Sequence, residues 1–410
     1  MNCVYFDEGS LDKNTIFSKD QNGREISIYS LTECLLQGDS LFYPNTKIYS
    51  FNTDKAFNPI REKTMSLGSE ECRADEIILN KQFNNTEECP VFFFIYNTDN
   101  YFHFVYDTLP YLISYLHLRK IIPNLKLLMN YPNSQKREFY KFVIEFLNIL
   151  NIHTDQIVLG DSHTLYKKLY ISNSYTHDID SNLPPRKEIY NLYNKIIESV
   201  KSTNVSSDLP EKIYISRRTW IHNDFSNIGT NYTMRRKLIN ENELVDFLNS
   251  KGYKEIFAEN LSTPEKILLF NNAKKIIGAI GGGMCNALFS QNDINLYVLV
   301  SPTFLDNHQR FKYSFTNKNT TYFDKTYHKD TSYWKKYMRV KIKDKNIIGE
   351  IDKVFDTTLL ISYADHNVAG WNSELELTQG LFNQDDCKKL DDGLNCEWGL
   401  DIEELKKLPL

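Results

Sequence analysis

A histidine and an aspartate four residues apart are the first pair in this sequence whose types and spacing suit acid–base chemistry. The segment NYFHFVYDTLPYL predicts a helix over 101–120, which places His103 and Asp107 on one face, one turn apart. A carboxylate there can fix the tautomer of an imidazole, which suits a general base or a group that orients an acceptor hydroxyl. The alternative is local hydrogen bonding in a capped, partly buried helix. Pro110 is predicted to interrupt the helix, which favours a pocket edge.

Three consecutive glycines form the second feature with chemical potential. Gly281, Gly282 and Gly283 follow the apolar run 276–280, which predicts a buried strand, and they precede a segment with helical spacing. At the carboxyl edge of a parallel sheet, the exposed N–H groups and the helix dipole of such a turn attract an anion, and the missing side chains let a diphosphate approach. Because the pattern is not GxGxxG, a tight strand-to-helix turn remains the alternative.

Two arginine pairs are predicted to lie near the same sheet edge. Arg217–Arg218 follows the strand KIYIS, and Arg235–Arg236 precedes the helix ENELVDFLNSKG. The planar guanidinium group fits phosphate oxygens, so arginines from two loops would suit a diphosphate leaving group. The alternative is solvated surface charge. Beside the second pair, Asn240 and Glu243 have the spacing of a helix-capping box.

These residues lie within alternating strand and helix patterns. In the first half, strands are predicted at VFFFIY, NLKLLMN, QIVLG and KKLYIS, with further helices at 134–150 and 186–201, whereas residues 1 to about 90 indicate only short strands. In the second half, strands are predicted at KIYIS, YKEIFA, KIIGAI and INLYVLV, separated by ENELVDFLNSKG, TPEKILLFNNAK and the glycine-led helix. Both halves therefore predict a doubly wound α/β domain.

The length of 410 residues predicts two domains, because single cores rarely grow that large. A proline pair and a polar, turn-rich stretch place the boundary near 183 to 210. We predict an N-terminal α/β domain over 1–195 and a Rossmann-like domain over 210–340. The segment 341–410, with one possible helix and an acidic end, is expected to return towards the first domain. Ligands are expected in a cleft between the carboxyl edges of the two sheets.

Composition limits the function classes. The net charge of −5 argues against binding to nucleic acid. The seven cysteines are dispersed without CxxC spacing, which indicates reduced thiols rather than a disulfide framework or a zinc site. The stretch MNCVYFDEGSLDKN lacks a basic region followed by an apolar one, and no apolar run is long enough to span a bilayer. We therefore expect a cytoplasmic protein that meets a membrane only through a substrate.

Three segments, taken in order, resemble glycosyltransferase family 61. NYFHFVYDTLPYL is similar to the N-x-x-H-x-x-x-D-x-x-P-x-L segment of the family, and MRRKLINENEL to its R-x-x-x-N-E segment. ENLSTPEKILLFNNAKKIIGAIGGGMCNALF is similar to the E-x-L-S segment that leads to the G-x-H-G-A-G-x-x-N turn. The resemblance covers about 100–300. The sequence departs from the pattern at Ile280, where the family usually has His, at Gly282, where it has Ala, and at Lys266, where it often has Gln.

The resemblance implies a GT-B fold, in which two Rossmann-like domains face a cleft, and an inverting transfer of a hexosyl, N-acetylhexosaminyl or pentosyl group. The donor would be a nucleotide-diphosphate sugar, expected to be a UDP-sugar, and the acceptor a hydroxyl of a glycan or glycoconjugate, lipid-linked acceptors included. No cofactor or essential metal is expected. In the sequence itself no DxD motif ends a predicted strand, and the acidic pairs Asp385–Asp386 and Asp391–Asp392 lie in the C-terminal segment.

The expected roles follow from this reaction. Asp107 is the first choice of base, and His103 either orients it or takes the role itself. The donor-binding set has two parts. One part consists of cationic groups and backbone amides that would hold the diphosphate, and the other consists of polar residues in the segments that resemble the family. Its members are Arg217, Arg236, Asn240, Glu241, Glu259, Gly281, Gly282, Gly283 and Asn286, with Glu259 assigned to the ribose hydroxyls.

Two other functions fit parts of the sequence. A non-catalytic glycan- or nucleotide-binding module would retain the fold without turnover, and Ile280 is the feature that favours it. A nucleotide-dependent epimerase would need a dinucleotide fingerprint, which the sequence lacks, and a YxxxK pair in context. A panel of nucleotide sugars with product nucleotide as readout separates the enzyme from the module.

Overall fold

The computed structural model describes most of the chain in separate ranges. These are 16–19, 25–37, 40–43, 47–50, 61–62, 84–94, 98, 100–129, 139–161, 164–172, 174–176, 184–203, 208–218, 236–307, 309–343, 347–363 and 378–410. The chain divides into two compact units, Met1–Ser199 and Val200–Leu410.

The first unit contains a mixed sheet. Its strands are β1 Ile16–Lys19, β2 Glu25–Gln37, β3 Ser40–Tyr43, β4 Lys47–Ser50, β5 Arg61–Glu62, β6 Asn85–Glu87, β7 Val91–Phe93, β8 Lys126–Met129, β9 Ile157–Leu159 and β10 Thr164–Ser172. The order is β5-β4-β3-β2-β10-β7-β8-β9, with β1 beside β2 and β6 beside β10. The strands β10, β7, β8 and β9 pair in parallel as predicted, whereas β2 to β5 form an antiparallel extension.

Helices lie between and after these parallel strands. The helices α1 Tyr101–His103 and α2 Leu112–Leu118 lie between β7 and β8, α3 Lys141–Ile149 lies between β8 and β9, and α4 Glu188–Thr203 follows β10. Single turns of other helix types are the π turn Phe104–Thr108 and the 3₁₀ turns Leu109–Tyr111 and Thr154–Gln156. The predicted helix at 134–150 is present over the bounds of α3, and residues 130–138 lie outside the described residues. All three residues of β7 are buried, as expected for a strand covered on both faces.

The second unit is built around a five-stranded parallel sheet of Rossmann-like α/β type. Its strands are β11 Lys212–Ile215, β12 Lys254–Ile256, β13 Lys275–Ala279, β14 Asn295–Leu299 and β15 Asn319–Phe323, in the order β12-β11-β13-β14-β15. Its helices are α5 Glu241–Ser250, α6 Thr263–Asn272, α7 Gly282–Cys285 and α8 Phe304–Asn307. Short 3₁₀ turns cover Ala258–Asn260, Asn286–Phe289 and Gln309–Tyr313. The strands predicted from the sequence are therefore confirmed in this unit, and α6 begins with a capping box of Ser262 and Glu265.

The remaining residues of this unit form two antiparallel sheets. The strands are β16 Thr326–His328, β17 Arg339–Ile342, β18 Ile347–Val354, β19 Thr358–Tyr363, β20 Thr378–Asn383, β21 Cys387–Lys389 and β22 Trp398–Leu400, followed by the helix α9 Ile402–Leu405. One sheet has the order β20-β19-β18-β17-β21, and β16 pairs with β22. Buried apolar residues alternate along β17 and β19, so one face of the larger sheet covers its own small core.

The described residues of the segment 341–410 are mainly β-strands, and they include the helix α9 Ile402–Leu405. They group with the unit Val200–Leu410, and the expected return towards the first domain stays a prediction. The last part of the segment packs in the core of the parallel sheet, because Trp398, Leu400 and Leu405 are buried together with residues of β11, β13 and β14. The large apolar side chains near the end of the chain therefore complete the core of the second unit.

Three further features concern the cysteines, the lengths of the helices and possible metal ligands. The four cysteines that the structure describes with side chains, Cys89, Cys285, Cys387 and Cys396, are free thiols. Within the described ranges, no helix combines the length and the apolar character needed to cross a bilayer. Over those same residues, no group of three His, Cys, Asp or Glu side chains has an arrangement that could hold a metal ion.

Candidate functional site

The helical segment that carries His103 and Asp107 is irregular. Asn100 caps its start, because its side-chain oxygen accepts a hydrogen bond from the backbone N–H of His103 at 3.3 Å. In the following π turn, the N–H of Leu109 donates to the carbonyl of Phe104, five residues earlier. A π turn widens the helix by one residue and is frequent at functional sites.

The position of Pro110 accounts for an unusual hydrogen bond in this segment. Proline has no N–H, so the carbonyl of Val105, five residues earlier, has no donor in the π register. Tyr193 of α4 replaces that donor, since its hydroxyl donates to the Val105 carbonyl at 2.9 Å. Regular α-helix is interrupted around Pro110, as predicted, although the chain stays helical through the 3₁₀ turn Leu109–Tyr111 and enters α2.

His103 and Asp107 form a direct hydrogen bond. The Nδ1 atom of His103 lies 2.7 Å from Oδ2 of Asp107, and a carboxylate only accepts, so Nδ1–H is the donor. The Asp107 side chain has no exposed surface, whereas 32% of the His103 side chain is exposed. The other oxygen of Asp107 accepts a hydrogen bond from the hydroxyl of Thr176 at 3.0 Å. The imidazole is therefore the member of this group that solvent and a substrate can reach.

Thr176 is a residue that the sequence reasoning missed. It lies on the segment Ser174–Thr176, just after β10. Further hydrogen bonds join this segment to the helical region that follows His103. The hydroxyls of Ser114 and Tyr175 lie 2.8 Å apart, and Tyr111 is hydrogen-bonded to Ser174, with burial raising the pKa of Tyr111. A polar residue a few positions after a predicted parallel strand was the available signal.

In the second unit, the glycine turn follows β13 as predicted. Gly281 has a φ of 153°, in the region that favours glycine, and a Cβ built there would lie 3.2 Å from Nη1 of Arg217. A Cβ on Gly283 would lie 2.8 Å from the Ile215 side chain, so that glycine permits close packing on β11. Gly282 begins α7, which has only four residues. The helix dipole expected at this turn is therefore that of a single helical turn.

Asn286 and Ile280 are buried supports of this turn. The amide nitrogen of Asn286 donates to the carbonyl of Gly283 at 2.9 Å. Only 1% of the surface of Asn286 is exposed. Asn286 thus holds the shape of the turn, and its contact with the diphosphate stays a prediction. Ile280 is also buried, and its N–H donates to the carbonyl of Leu299.

Glu241 holds the loop that carries Arg217. Its Oε1 atom accepts hydrogen bonds from the Tyr214 hydroxyl at 2.7 Å, the Ser216 hydroxyl at 3.2 Å and the backbone N–H of Arg217 at 2.6 Å. Burial raises the pKa of the Glu241 carboxyl group and lowers the pKa of the Arg217 guanidinium. Glu241 therefore holds the backbone that carries Arg217, and its contact with a donor stays a prediction.

The two members of the first arginine pair have different surroundings. The Arg218 guanidinium makes two hydrogen bonds to the carboxylate of Glu255, at 3.0 and 2.5 Å, and another to Asn242 at 2.9 Å. Arg217 instead reaches the glycine turn. Of this pair, Arg217 is the candidate for contact with phosphate. Arg235 of the second pair lies outside the described residues.

Arg236 lies over the neighbouring strand end. Its guanidinium carbon is 5.3 Å from the ring centroid of Phe304, which begins α8 just after β14. Arg217 follows β11, and β11 and β14 are the two strands that flank β13. The two guanidinium groups are therefore carried at the strand ends on either side of the glycine turn.

Asn240 and Glu259 are the remaining predicted donor residues. The Asn240 amide pairs with the backbone of Leu400, donating to its carbonyl at 2.8 Å and accepting from its N–H at 3.0 Å. The predicted capping box with Glu243 is not formed, because Asn240 makes no side-chain capping bond to α5. Glu259 lies on the 3₁₀ turn after β12, next to Ala258, which lies beside Gly283.

A family comparison covers all of these predicted residues. Residues 101–297 match the family model described as Glycosyltransferase 61. The resemblance to glycosyltransferase family 61 is confirmed. No curated protein matches the chain. The family 61 match indicates a glycosyltransferase, which acts on a sugar donor and a glycan acceptor.

Proposed function

We propose that the chain is an inverting glycosyltransferase that transfers a sugar from a nucleotide-diphosphate sugar, a UDP-sugar, to a hydroxyl group of a glycan or glycoconjugate. The observation that carries the proposal is the hydrogen-bonded His103–Asp107 pair within the family 61 region, with its imidazole exposed and its carboxylate buried. The GT-B architecture is part of the proposal and rests on the family resemblance and on the Rossmann-like sheet of the second unit.

His103 is the base in this proposal, and Asp107 supports it. The sequence favoured Asp107, but a carboxylate with no exposed surface, whose oxygens accept from His103 and Thr176, is not accessible to an acceptor hydroxyl. With Nδ1–H donated to Asp107, the Nε2 atom of His103 carries the lone pair that accepts the hydroxyl proton. Asp107 fixes that tautomer and stabilises the imidazolium that forms.

The reaction is a single displacement. The acceptor oxygen forms a bond to the anomeric carbon as His103 takes its proton, and the bond from that carbon to the diphosphate oxygen breaks with its electron pair. Inversion at the anomeric carbon follows from the single step. The departing diphosphate gains negative charge, and positive charge placed there stabilises the transition state more than the ground state.

Arg217, Arg236 and the backbone of the glycine turn supply that stabilisation in the proposal. The Arg217 guanidinium lies beside Gly281 and Arg236 lies at the next strand end, so two cations are available without a metal. Gly281 leaves the backbone open to a phosphate group because it has no Cβ. Glu259, beside the turn, is assigned to the ribose hydroxyls.

The test is a panel of nucleotide sugars incubated with the purified full-length chain and a panel of glycan acceptors. Release of nucleoside diphosphate and a product of inverted anomeric configuration, observed by NMR, are the expected results. His103→Gln should lower turnover strongly and retain binding of UDP. Binding of a donor without any release of nucleotide, across the panel, would instead support a non-catalytic module.

A further inference from the structure

A segment outside the family match holds the loop that carries Arg236. We call residues 236–240 the arginine loop and residues 395–400 the C-terminal clamp. Three backbone hydrogen bonds join the loop and the clamp. The N–H of Arg236 donates to the carbonyl of Asn395 at 2.8 Å, and the N–H of Trp398 donates to the carbonyl of Lys237 at 3.0 Å. The N–H of Ile239 donates to the carbonyl of Trp398 at 2.8 Å. The clamp thus follows the loop along its length.

Side chains strengthen this attachment at both ends of the arginine loop. The indole N–H of Trp398 donates to the carbonyl of Arg236 at 2.9 Å. At the other end, the Asn240 amide makes its two hydrogen bonds to the backbone of Leu400. Trp398 and Leu400 are themselves buried in the core of the parallel sheet. The loop is therefore fixed to the core and not only to a surface strand.

The backbone of Arg236 needs such support. Its φ of 53° lies in the left-handed region, which residues other than glycine rarely adopt. Both its N–H and its carbonyl are bonded to the C-terminal clamp, and its guanidinium lies over Phe304. A strained backbone conformation persists when its surroundings determine it. Here the surroundings include Trp398, more than 160 residues later in the sequence.

We propose that Trp398 is a positioning residue for nucleotide binding, which acts by holding Arg236 in this conformation. The inference rests on the proposed function in taking Arg236 as a ligand of the diphosphate. It extends the donor site to a segment that lies beyond residues 101–297. The C-terminal clamp would then set the affinity for the donor, whereas the proton transfer at His103 would be unaffected.

The test measures UDP binding by titration calorimetry on four full-length proteins: the parental chain, Trp398→Phe, Arg236→Ala and the double variant. Phenylalanine keeps an aromatic ring in the core and removes the indole N–H. We expect Trp398→Phe to weaken UDP binding about 3–10-fold, in keeping with the loss of one hydrogen bond that orders a ligand. In the Arg236→Ala background, Trp398→Phe should not weaken UDP binding further, because the guanidinium that Trp398 positions is absent. In turnover assays, KM for the donor should rise while kcat stays within twofold.

Leu405→Val is the matched control, because Leu405 lies in the same core cluster and is not part of the arginine loop or the clamp. It should lower the melting temperature and leave UDP affinity unchanged. If Trp398→Phe fails to fold, Asn240→Asp tests the same inference, since it removes the amide donor to Leu400 and keeps the side-chain shape.

The outcomes separate the two proposals. If Arg236→Ala weakens UDP binding but Trp398→Phe and Asn240→Asp do not, the clamp inference is wrong and the proposed donor site stands. If Trp398→Phe weakens binding equally with and without Arg236, its effect is general and the inference is also wrong. If Arg236→Ala binds UDP like the parental chain, Arg236 is not a donor ligand, and both the role in the proposed function and the inference fail.

Discussion

The site around His103 and the site around the glycine turn are built in opposite ways. In the first, one partly exposed side chain acts, and buried side chains such as Asp107 and Thr176 set its tautomer and direction. In the second, backbone and cationic groups are presented at a sheet edge, and buried side chains such as Glu241 and Asn286 hold their loops. Proton transfer needs one atom with a defined lone pair, whereas a diphosphate needs distributed positive charge. Substitutions should therefore affect the two sites differently.

The largest effect is expected at the base. His103→Gln should lower kcat by about 10²–10⁴-fold, the usual contribution of general base catalysis, because the amide cannot take the proton. UDP affinity should be unchanged, as measured by titration calorimetry. Asp107→Asn is the comparison, and it should also reduce kcat because an amide no longer fixes the Nδ1–H tautomer. Full activity of His103→Gln with an inactive Asp107→Asn would return the base to Asp107.

Neighbouring arginines test the second site. Arg217→Ala should weaken UDP binding by about 10–150-fold, the equivalent of losing a charge-assisted hydrogen bond of roughly 1.5–3 kcal/mol, with little change in melting temperature. Arg218→Ala should do the reverse, since it leaves Glu255 without its guanidinium partner and should cost about 1–2 kcal/mol of stability. Equal losses of UDP affinity in both variants would contradict the division of roles.

The glycine turn offers a matched pair of smaller changes. Gly281→Ala should weaken UDP binding, because its φ of 153° and the Arg217 Nη1 atom at 3.2 Å both oppose a side chain. Strain of this kind costs of order 1–3 kcal/mol, divided between folding and binding. Gly282→Ala, at the first position of α7, should be tolerated, since alanine favours a helix. The measurements are UDP affinity and thermal melting, and parental affinity for Gly281→Ala would remove the support for a phosphate site at this turn.

A moderate effect is expected at Thr176. Thr176→Val removes the hydroxyl that donates to Asp107 and keeps the shape of the side chain. A lost hydrogen bond of about 0.5–1.5 kcal/mol predicts a fall in kcat of roughly 2–10-fold, with KM for the donor unchanged. Thr176→Ser should restore most of the activity. If the serine variant is as impaired as the valine variant, the methyl group and not the hydroxyl is what matters.

The smallest expected effect concerns metals. Because Arg217 and Arg236 supply the positive charge in the proposal, dialysis against EDTA should change kcat/KM by less than about twofold. Restoration of a lost activity by Mg²⁺ or Mn²⁺ would show that the arginines alone do not neutralise the diphosphate. Arg217→Ala measured with and without added Mg²⁺ provides the comparison.

The sequence by itself determined the local features. The spacing of His103 and Asp107, the strand before Gly281 and the helix that begins at Thr263 each depend on residues a few positions apart, so helical and strand periodicity were sufficient to predict them. The order of the motifs also indicated the resemblance to glycosyltransferase family 61, whose model matches residues 101–297. These predictions succeeded because neighbours in the chain are also neighbours in space.

Only the tertiary structure decided which of these residues are exposed and which support others. Asp107 is buried and bonded to Thr176, Arg218 is paired with Glu255, and Asn240 is bonded to Leu400 instead of capping its own helix. A sequence pattern gives the type of a polar side chain but not its partner, and several partners are available to each arginine or amide. The hydrogen bond between the Trp398 indole and the Arg236 carbonyl joins residues more than 160 positions apart. It stabilises the protein only when the core of the second unit has folded around the indole.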